Sequence, residues 1–416
     1  MLRLDADLLI PGLGDPVANA AVVMDGPTIT YAGPAAGAPG PPAEARVPVL
    51  MPGMWDCHGH FMGARTNDLT EIVHTSLAVA AVRAAKDAEI ALQAGFTSIR
   101  EAGGFGVHLA RVVDEGLLDG PSIYAPGAIL STTGGHGDLH GYPLTMMADL
   151  CARGAPFQLC DGVPECLRAV RAQLRLNAKV IKICASGGVM SEVDHPIHQQ
   201  FSDDELRAIV EEAGRADRVV MAHCHGKPGI MAALRAGCRT IEHGTYLDEE
   251  AAAAMREAGA LLVPTRFIIE RLLGAEGSMP DYAFRKLVDI SERHKEAIGI
   301  AYRAGVQIAL GTDIFGSGAD TAVPWGANGE EFAYLVEAGM KPLDAIAAGT
   351  AHGPLTLGPQ APKSGQLAAG FDADVIAVAT NPLDDISVLG DPESVIGVWK
   401  AGRPAKPLRS VGTDRD

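Results

Sequence analysis

The sequence predicts an α/β protein built around a TIM-like (β/α)8 barrel, with a small β-sandwich domain formed from both termini. From about residue 53 to 360, short β-type apolar runs alternate with longer, Ala-rich amphipathic stretches. Residues 1–52 and 361–416 instead contain short apolar runs separated by Gly and Pro, which is typical of β-structure. We therefore expect one composite β-domain at 1–52 and 361–416, and a barrel at 53–360.

Eight apolar runs are the expected barrel strands, because eight strands alternating with helices are typical of a closed parallel barrel. An open doubly wound sheet is the alternative. No Gly-x-Gly-x-x-Gly turn follows the first run, and polar residues end too many runs for one switch point, so the barrel is favoured. Ser202 and Glu205 predict a capping box at one helix start. The eight runs are residues 53–58, 97–101, 122–126, 180–185, 219–223, 240–243, 261–265 and 307–313.

The 416-residue chain carries a net charge of −17, which argues against binding to nucleic acid or to an anionic membrane surface. We find no apolar run of transmembrane length, and the acidic N-terminus does not resemble a secretory signal. The seven Cys are scattered without a Cys-x-x-Cys pair, which indicates reduced thiols. We expect a cytoplasmic homo-oligomer that acts on a small molecule and binds neither nucleic acid nor membrane.

The first run ends in Asp56-Cys-His58-Gly-His60. Because alternate side chains of an extended backbone face the same way, His58 and His60 can face one metal ion. Imidazole nitrogen suits zinc and related metals. The pattern alone is weak evidence, since a solitary His at a strand end is more often structural or solvated.

Three further runs end in similar residues, which strengthens the prediction of a metal site. The fifth run ends at His223 and is followed by His225, the sixth ends at His243, and the eighth ends at Asp313. In a barrel the C-terminal ends of the strands converge on one face, where active sites lie. Four strand ends would therefore bring these side chains to one metal centre.

Lys182 lies inside the apolar fourth run, where burial of a charged amine is costly. Desolvation and nearby cations both favour the neutral amine, which can add carbon dioxide and become a carbamate. Such an anion can bridge two metal ions. The alternative is that Lys182 reaches solvent or pairs with an acid.

Together these motifs resemble the amidohydrolase superfamily, and the resemblance spans essentially the whole chain. Further strings at 95–104, 131–138, 160–163 and 181–189 resemble the branch that contains Xaa-Pro dipeptidase-like and ochratoxin-hydrolase-like enzymes. The resemblance implies metal-dependent hydrolysis of a C-terminal peptide or amide bond. Its substrate would be an Xaa-Pro or other dipeptide, or an N-acyl amino acid such as an ochratoxin-type amide.

The resemblance also implies a centre of two divalent metal ions, expected to be zinc, and a metal-bridging hydroxide as the nucleophile. Asp313 would transfer a proton from this nucleophile to the leaving amine. The implied metal ligands are His58, His60 and Asp313 for the first ion, His223 and His243 for the second, and N6-carboxylated Lys182 as the bridge.

Three further residues are candidates for substrate contacts. His136, in a Gly-rich loop, and His225 are expected to bind the substrate carboxylate or the developing oxyanion. The Arg266 guanidinium could form a two-pronged hydrogen bond to a carboxylate. For each residue the alternative is an ordinary loop position or a surface ion pair.

Two other functions remain open from the sequence. The chain could be a cyclic-amide (imidazolone-type) hydrolase or a deaminase of the same superfamily, although Lys182 argues against a mononuclear site. It could also be a catalytically silent scaffold, although the implied metal positions are all filled. Metal stoichiometry would distinguish these alternatives.

Overall fold

The computed structural model describes residues 1–409, so the part of the predicted β-domain at 410–416 lies outside the described residues. The strands are β1 (Leu2–Leu9), β2 (Val17–Asp25), β3 (Thr28–Pro34), β4 (Ala45–Pro52), β5 (Met54–Ala64), β6 (Phe96–Glu101), β7 (Ser122–Tyr124), β8 (Ile129–Ser131), β9 (Phe157–Leu159), β10 (Ile181–Cys184), β11 (Val220–Cys224), β12 (Thr240–His243), β13 (Leu261–Val263), β14 (Ile314–Gly316), β15 (Val375–Val378), β16 (Val395–Lys400) and β17 (Arg403–Lys406). The helices are α1 (Leu77–Gln93), α2 (Gly106–Asp114), α3 (Leu144–Ala152), α4 (Gly162–Arg175), α5 (Asp203–Gly214), α6 (Lys227–Ala236), α7 (Glu249–Ala258), α8 (Arg266–Leu273), α9 (Asp281–Arg303), α10 (Glu330–Glu337) and α11 (Pro342–Ala348).

The two ends of the chain share one seven-stranded mixed sheet, in the order β17-β16-β15-β4-β1-β2-β3. Only β1 and β4 pair in parallel, and the other neighbours are antiparallel. Leu4, Val22 and Trp399 belong to its apolar core. Because the described strands of this region form a single sheet, the predicted two-layer β-sandwich is not confirmed.

The middle of the chain forms two parallel sheets, so the α/β fold class predicted from the sequence is confirmed. One sheet has the order β14-β5-β6-β7 and the other β13-β12-β11-β10-β8-β9. Every strand pair within them is parallel. The C-terminal ends of the strands in each sheet therefore lie at the same edge, which is where side chains can be gathered into a site.

Backbone hydrogen bonds connect the two parallel sheets, but the ladders of the described strands do not form a closed barrel. At one junction the Lys179 N–H donates to the Ala125 carbonyl (2.8 Å). At the other the 307–313 segment lies between the sheets: its Gln307 carbonyl accepts from the Leu262 N–H (3.0 Å) of β13, and its Leu310 carbonyl accepts from the Cys57 N–H (2.8 Å) of β5. The parallel α/β sheets that the sequence predicts are thus confirmed, whereas the closure of these sheets into a (β/α)8 barrel is not.

The predicted eighth strand at 307–313 is wrong in its bounds. Within this stretch only Ile308 makes a bridge, to Leu262, and strand β14 begins after Asp313. Asp313 has a φ of 62°, in the left-handed region, which interrupts the extended backbone. Because of this interruption, the direction of the Asp313 side chain does not follow the two-residue alternation of a strand.

The capping box predicted at Ser202 and Glu205 is confirmed at the start of α5, where each residue accepts a hydrogen bond from the backbone N–H of the other. Helix α5 buries Leu206 and Ile209 against the core, while Asp203 and Asp204 of its first turn are exposed. None of the helices within residues 1–409 combines the length and apolar character needed to cross a bilayer.

Helix α1 carries a buried acid, Asp87, which accepts a hydrogen bond from the Ser317 hydroxyl and is only 2% exposed. Burial raises the pKa of Asp87 to about 7, although the Ser317 bond and the charge of Arg83 oppose this shift. The folded-state pKa lies above the unperturbed value of 3.8. The carboxyl therefore destabilises the fold increasingly as the pH rises from about 4 to about 7.

We expect Asp87→Asn to remove this pH-dependent cost, because the amide keeps an acceptor for Ser317 but does not ionise. The stability of the variant relative to the wild type should increase by about 2 kcal/mol between pH 5 and pH 8. Denaturant unfolding of both proteins at several pH values measures this difference. A difference that does not change with pH would contradict the prediction.

Candidate metal centre

The first cluster of metal-ligand type contains His58, His60 and Asp313, whose candidate ligand atoms all lie within 4.8 Å of one another. The two His lie on β5, and Asp313 directly precedes β14, the neighbour of β5. An Asp313 Oδ1 atom lies 3.0 Å from His60 Nε2 and 3.4 Å from His58 Nε2. The two-residue spacing of the His thus places both imidazoles on the same face of the strand.

The second cluster contains His223, His225 and His243, and its candidate ligand atoms also lie within 4.8 Å of one another. His223 and His243 lie at the ends of the adjacent strands β11 and β12, and His225 follows β11. The ring centroids of His223 and His243 are 4.6 Å apart, and those of His225 and His243 are 4.9 Å apart. His225, which the sequence suggested as a substrate or oxyanion contact, therefore lies among the candidate ligands.

Lys182 is buried at the junction of the two clusters. Its Nζ lies 3.3 Å from His58 Nε2, and the rings of His58 and His243 are 5.0 Å apart. Burial lowers the pKa of Lys182, partly against the negative charge of Glu242. Lys182 is thus a desolvated amine beside the first cluster.

Each of the four His that the sequence predicted as metal ligands uses one ring nitrogen for a hydrogen bond to the protein, which leaves the other available to a metal ion. The partners are the Glu242 carboxylate for His58 (2.6 Å), the Gly103 carbonyl for His60 (2.7 Å), the Gly187 carbonyl for His223 (3.2 Å) and the Thr265 hydroxyl for His243 (2.7 Å). His225 likewise uses Nδ1 for the Thr245 hydroxyl (2.7 Å). Such partners orient the ring and fix its tautomer in metal sites. The donor set and its support therefore fit divalent metal ions of the zinc type.

Burial also sets the protonation of the cluster. It lowers the pKa of His60 and lowers the pKa values of His223 and His243 well below 6.5, so these rings are neutral with free lone pairs near pH 7. For Asp313 burial favours the neutral acid, but its contacts with His58 and His60 outweigh this effect and hold its pKa well below the usual value. The site thus offers neutral imidazoles and an anionic carboxylate.

A buried ion pair supports the first cluster, and the sequence analysis gave it no role. Arg100 and Glu242 are both fully buried, with Arg100 Nη2 2.8 Å from Glu242 Oε2, and the same carboxylate contacts His58 and the Thr240 hydroxyl. Burial alone would raise the pKa of Glu242, but Arg100 and His58 lower it to about 2. A charged residue inside each of two apolar runs was the available signal.

Asp56 ties strand β5 to the segment that carries Asp313, and the sequence analysis quoted it only as part of a motif. Its buried carboxylate accepts hydrogen bonds from the His58 N–H (3.0 Å), the Thr312 hydroxyl (2.6 Å) and the Asn328 amide (2.7 Å). Burial raises the pKa of Asp56, against these bonds. The Asp313 N–H also donates to the His58 carbonyl (2.6 Å). The backbone segments that carry His58 and Asp313 are therefore hydrogen-bonded to each other, both directly and through Asp56.

A cavity of about 930 Å³, including its open mouth, adjoins both clusters. Two loops form much of its wall: the 131–142 loop, which contributes His136, and the 187–200 loop, which contributes Ser191. His136 stacks on His223 with ring centroids 4.2 Å apart, and its Nδ1 bonds the Ser191 hydroxyl (2.8 Å). His136 therefore lies in the cavity wall beside the second cluster. Apolar side chains cover most of the remaining wall, including Met62, Leu69, Ile129, Phe157, Met190, Ile268, Leu272 and Phe315.

Arg266 lies away from this cavity, which gives no support to its predicted role as a carboxylate contact. Its guanidinium is buried and donates to the Glu270 carboxylate (2.8 Å from Nε) and to the Ser291 carbonyl (2.5 Å from Nη1). These bonds occupy the group within the contact between α8 and α9.

His140, to which the sequence assigns no role, also lines the cavity. Its Nδ1 accepts a hydrogen bond from the Val193 N–H (3.1 Å), which assigns the ring proton to Nε2 in the neutral form. The short separation from His136 in the Gly-rich loop was the available signal. A second imidazole is thus part of the cavity wall.

Comparison with known proteins agrees with this geometry. The model of the Amidohydrolase family matches residues 49–405. The ochratoxinase of Aspergillus niger is 45% identical over 416 residues, which cover 96% of this chain and 85% of that protein. The crystal structure of A. niger ochratoxinase superposes with a TM-score of 0.91 at 43% identity, covering 99% of this chain and 96% of the other.

Two further solved structures are similar over almost the full length. A prolidase complexed with N-methylphosphonate-L-proline has a TM-score of 0.89 at 34% identity, with coverage of 98% of this chain and 100% of the other. A Xaa-Pro dipeptidase with bound methionine has a TM-score of 0.85 at 29% identity, again with coverage of 98% and 100%. The family and these relatives identify the chain as a hydrolase that acts on amide bonds. The chain belongs to the Amidohydrolase family.

Proposed function

We propose that this enzyme hydrolyses the C-terminal amide bond of a small molecule at a centre of two divalent metal ions. The substrate class is an Xaa-Pro or other dipeptide, or an N-acyl amino acid such as an ochratoxin-type amide. The observation that carries the proposal is the meeting of two ligand clusters around the buried Lys182 beside one cavity. The similarity to ochratoxinase and prolidase structures supports the choice of substrate class.

The ligands of the two clusters would hold the metal ions, which we propose to be zinc because neutral imidazole and carboxylate suit it. When bound, the two ions supply an activated water near neutral pH and polarise the substrate carbonyl. The low pKa of Lys182 favours the free amine that carbon dioxide carboxylates. The assignment is His58, His60 and Asp313 to one ion, His223 and His243 to the other with His225 beside them, and carboxylated Lys182 between the two.

Asp313 is the group we assign to proton transfer. Its carboxylate is anionic, and its Oδ1 lies among the imidazoles of the first cluster, so it can accept a proton from the attacking water. It can then deliver this proton to the nitrogen of the scissile amide, which leaves as a neutral amine. The frame of Asp56 and Thr312 holds Asp313 in place during both transfers.

His136 and the apolar wall are proposed to bind the substrate. The Ser191 bond holds the His136 ring by Nδ1, which leaves Nε2 for a carboxylate or a carbonyl oxygen of the substrate. The Met, Leu, Ile and Phe side chains of the wall favour a bulky apolar group on one side of the scissile bond. His225 has two alternative roles in this proposal. It either contacts the developing oxyanion or binds the second metal ion together with His223 and His243.

Three further expectations belong to the same proposal. We propose that the two parallel sheets and the segment at 307–313 together correspond to a (β/α)8 barrel, with the seven-stranded sheet as a separate β-domain. A cytoplasmic location is consistent with the seven Cys, which are all free thiols. We propose a homo-oligomer, for which size-exclusion chromatography with light scattering is the direct measurement.

Metal removal and reloading test the proposed function. We expect the chelator-treated enzyme to lose hydrolysis of Xaa-Pro dipeptides, other C-terminal dipeptides and N-acyl amino acids, and zinc to restore it with two ions per chain. Activity that survives chelation with no metal detected would contradict the proposal. One tightly bound ion per chain, together with turnover of a cyclic amide or release of ammonia, would favour the alternative hydrolase or deaminase.

A further inference from the structure

The 187–200 loop forms part of the cavity wall but has little regular structure of its own. It connects β10 to α5 and contributes Met190 and Ser191 to the wall. A single bridge between Ser186 and Gln199 closes its base. Inside the loop the Asp194 carboxylate accepts hydrogen bonds from the Gly188 N–H (2.9 Å) and the Gln200 amide (3.0 Å). A further anchor from outside the loop can fix the surface that Met190 and Ser191 present to a substrate.

Lys286 of α9 provides this anchor. Its Nζ donates to three backbone carbonyls of the loop, those of Gly188 (3.3 Å), Ser191 (2.7 Å) and Asp194 (2.5 Å). An ammonium has three N–H donors, so the loop satisfies all of them. The Lys286 side chain is only 16% exposed, and an Asp194 carboxylate oxygen lies 3.8 Å from Nζ. The Lys286 ammonium thus joins three backbone positions of the loop to helix α9.

The anchored loop in turn contacts two imidazoles of the neighbouring 131–142 loop. The Ser191 hydroxyl bonds His136 Nδ1 (2.8 Å), and the Val193 N–H donates to His140 Nδ1 (3.1 Å). Ser191 therefore contacts Lys286 through its carbonyl and His136 through its side chain. Two consecutive hydrogen bonds lead from the ammonium to a ring that faces the substrate cavity.

We propose that Lys286 is a positioning residue for substrate binding, which holds the 187–200 loop so that Ser191 fixes the His136 ring. This inference rests on the proposed function for its substrate. Lys286 does not line the cavity, so it acts through the loop and not by contact with the substrate. Without the ammonium, three carbonyl dipoles converge on a poorly solvated space, and the loop samples other conformations.

The main effect of losing the ammonium is then on binding. If only a fraction of the molecules has the competent loop, the apparent affinity falls by that fraction. Molecules that do bind substrate have the same metal ligands and the same Asp313, so their turnover is retained. A merely structural role would instead lower stability and leave KM unchanged.

Lys286→Met tests this inference, with Lys295→Met on the same helix as the matched control. Lys295 is half-exposed and has only a loose contact with Glu337 at 3.7 Å. We expect Lys286→Met to raise KM by about 10-fold or more while kcat stays within about 3-fold and the metal content is unchanged. Lys295→Met should leave all three unchanged. An unchanged KM, or a loss of bound metal, in Lys286→Met would overturn the inference.

Chemical rescue with an added ammonium distinguishes loss of the Lys286 cation from a general disturbance of the fold. Butylammonium added to Lys286→Ala should lower KM again in a concentration-dependent way, whereas tetramethylammonium at equal ionic strength lacks N–H donors and should not. Equal rescue by both cations, or none by either, would overturn the inference. Hydrogen exchange of residues 187–200 needs no substrate. Faster exchange in Lys286→Met than in Lys295→Met is expected even if no amide is hydrolysed, so failure of the proposed function would be recognised separately.

Discussion

Asp313→Asn is expected to abolish amide hydrolysis, with kcat lower by about 10³-fold or more. The substitution removes the anionic oxygen that lies 3.0 Å from His60 Nε2 and the base that accepts the proton of the attacking water. The fold should persist, because the Asp313 backbone N–H still donates to the His58 carbonyl and an amide has nearly the same volume. Steady-state kinetics measure kcat on whichever dipeptide or N-acyl amino acid the wild-type enzyme hydrolyses.

The control is Asp289→Asn, which makes the same chemical change at an exposed position of α9. Its kcat should match that of the wild type. Elemental analysis of both variants distinguishes loss of a metal ligand from loss of the base, since either loss is compatible with the proposed role. Retention of more than about a tenth of the wild-type kcat in Asp313→Asn would reject Asp313 as the proton-transfer group.

The candidate metal ligands could be predicted from the sequence because their signals are local. His58 and His60 show the two-residue period of a strand, and His223 and His243 end apolar runs. Parallel pairing then brings such strand ends to one edge. These side chains needed only the fold class to be placed together, and the structure gathers them into two adjoining clusters.

The residues that support the ligands could not be placed in the same way. Arg100 and Glu242 are 142 positions apart and form an ion pair only because strands from the two parallel sheets face each other across the interior. Arg266 was suggested for the substrate, yet α8 begins at this residue and presents Glu270 one turn later, so Glu270 and Ser291 of α9 satisfy the guanidinium. An Arg and Glu four positions apart predict such a pair once the helix is known.

The cavity wall was the least predictable part of the site. Lys286, more than 90 positions later in the chain, contacts the 187–200 loop through backbone carbonyls that any residue type would supply. The sequence of the loop therefore carries little trace of the contact. The closed barrel and the β-sandwich are not confirmed for a related reason, since hydrophobic periodicity indicates strands but not whether their hydrogen-bonded ladders join.

Lys182→Ala is expected to lose most of the bound metal and at least about 10³-fold of kcat. The substitution removes the amine that lies 3.3 Å from His58 Nε2, and with it the proposed anion between the two clusters. The cavity left by the side chain should admit acetate or propionate. Either carboxylate should therefore restore part of the metal content and activity in a concentration-dependent manner.

Lys179→Ala is the matched control, because Lys179 lies three positions earlier and its amine is exposed beside Asn177 (3.3 Å). It should keep the wild-type metal content and show no response to acetate. Lys182→Arg extends the test, since guanidinium keeps a positive charge and cannot form a carbamate. If a buried cation were all that the site needed, Lys182→Arg would retain metal, and Lys182→Ala would not respond to carboxylates. Loss of metal in Lys182→Arg together with carboxylate rescue of Lys182→Ala requires an anion at this position.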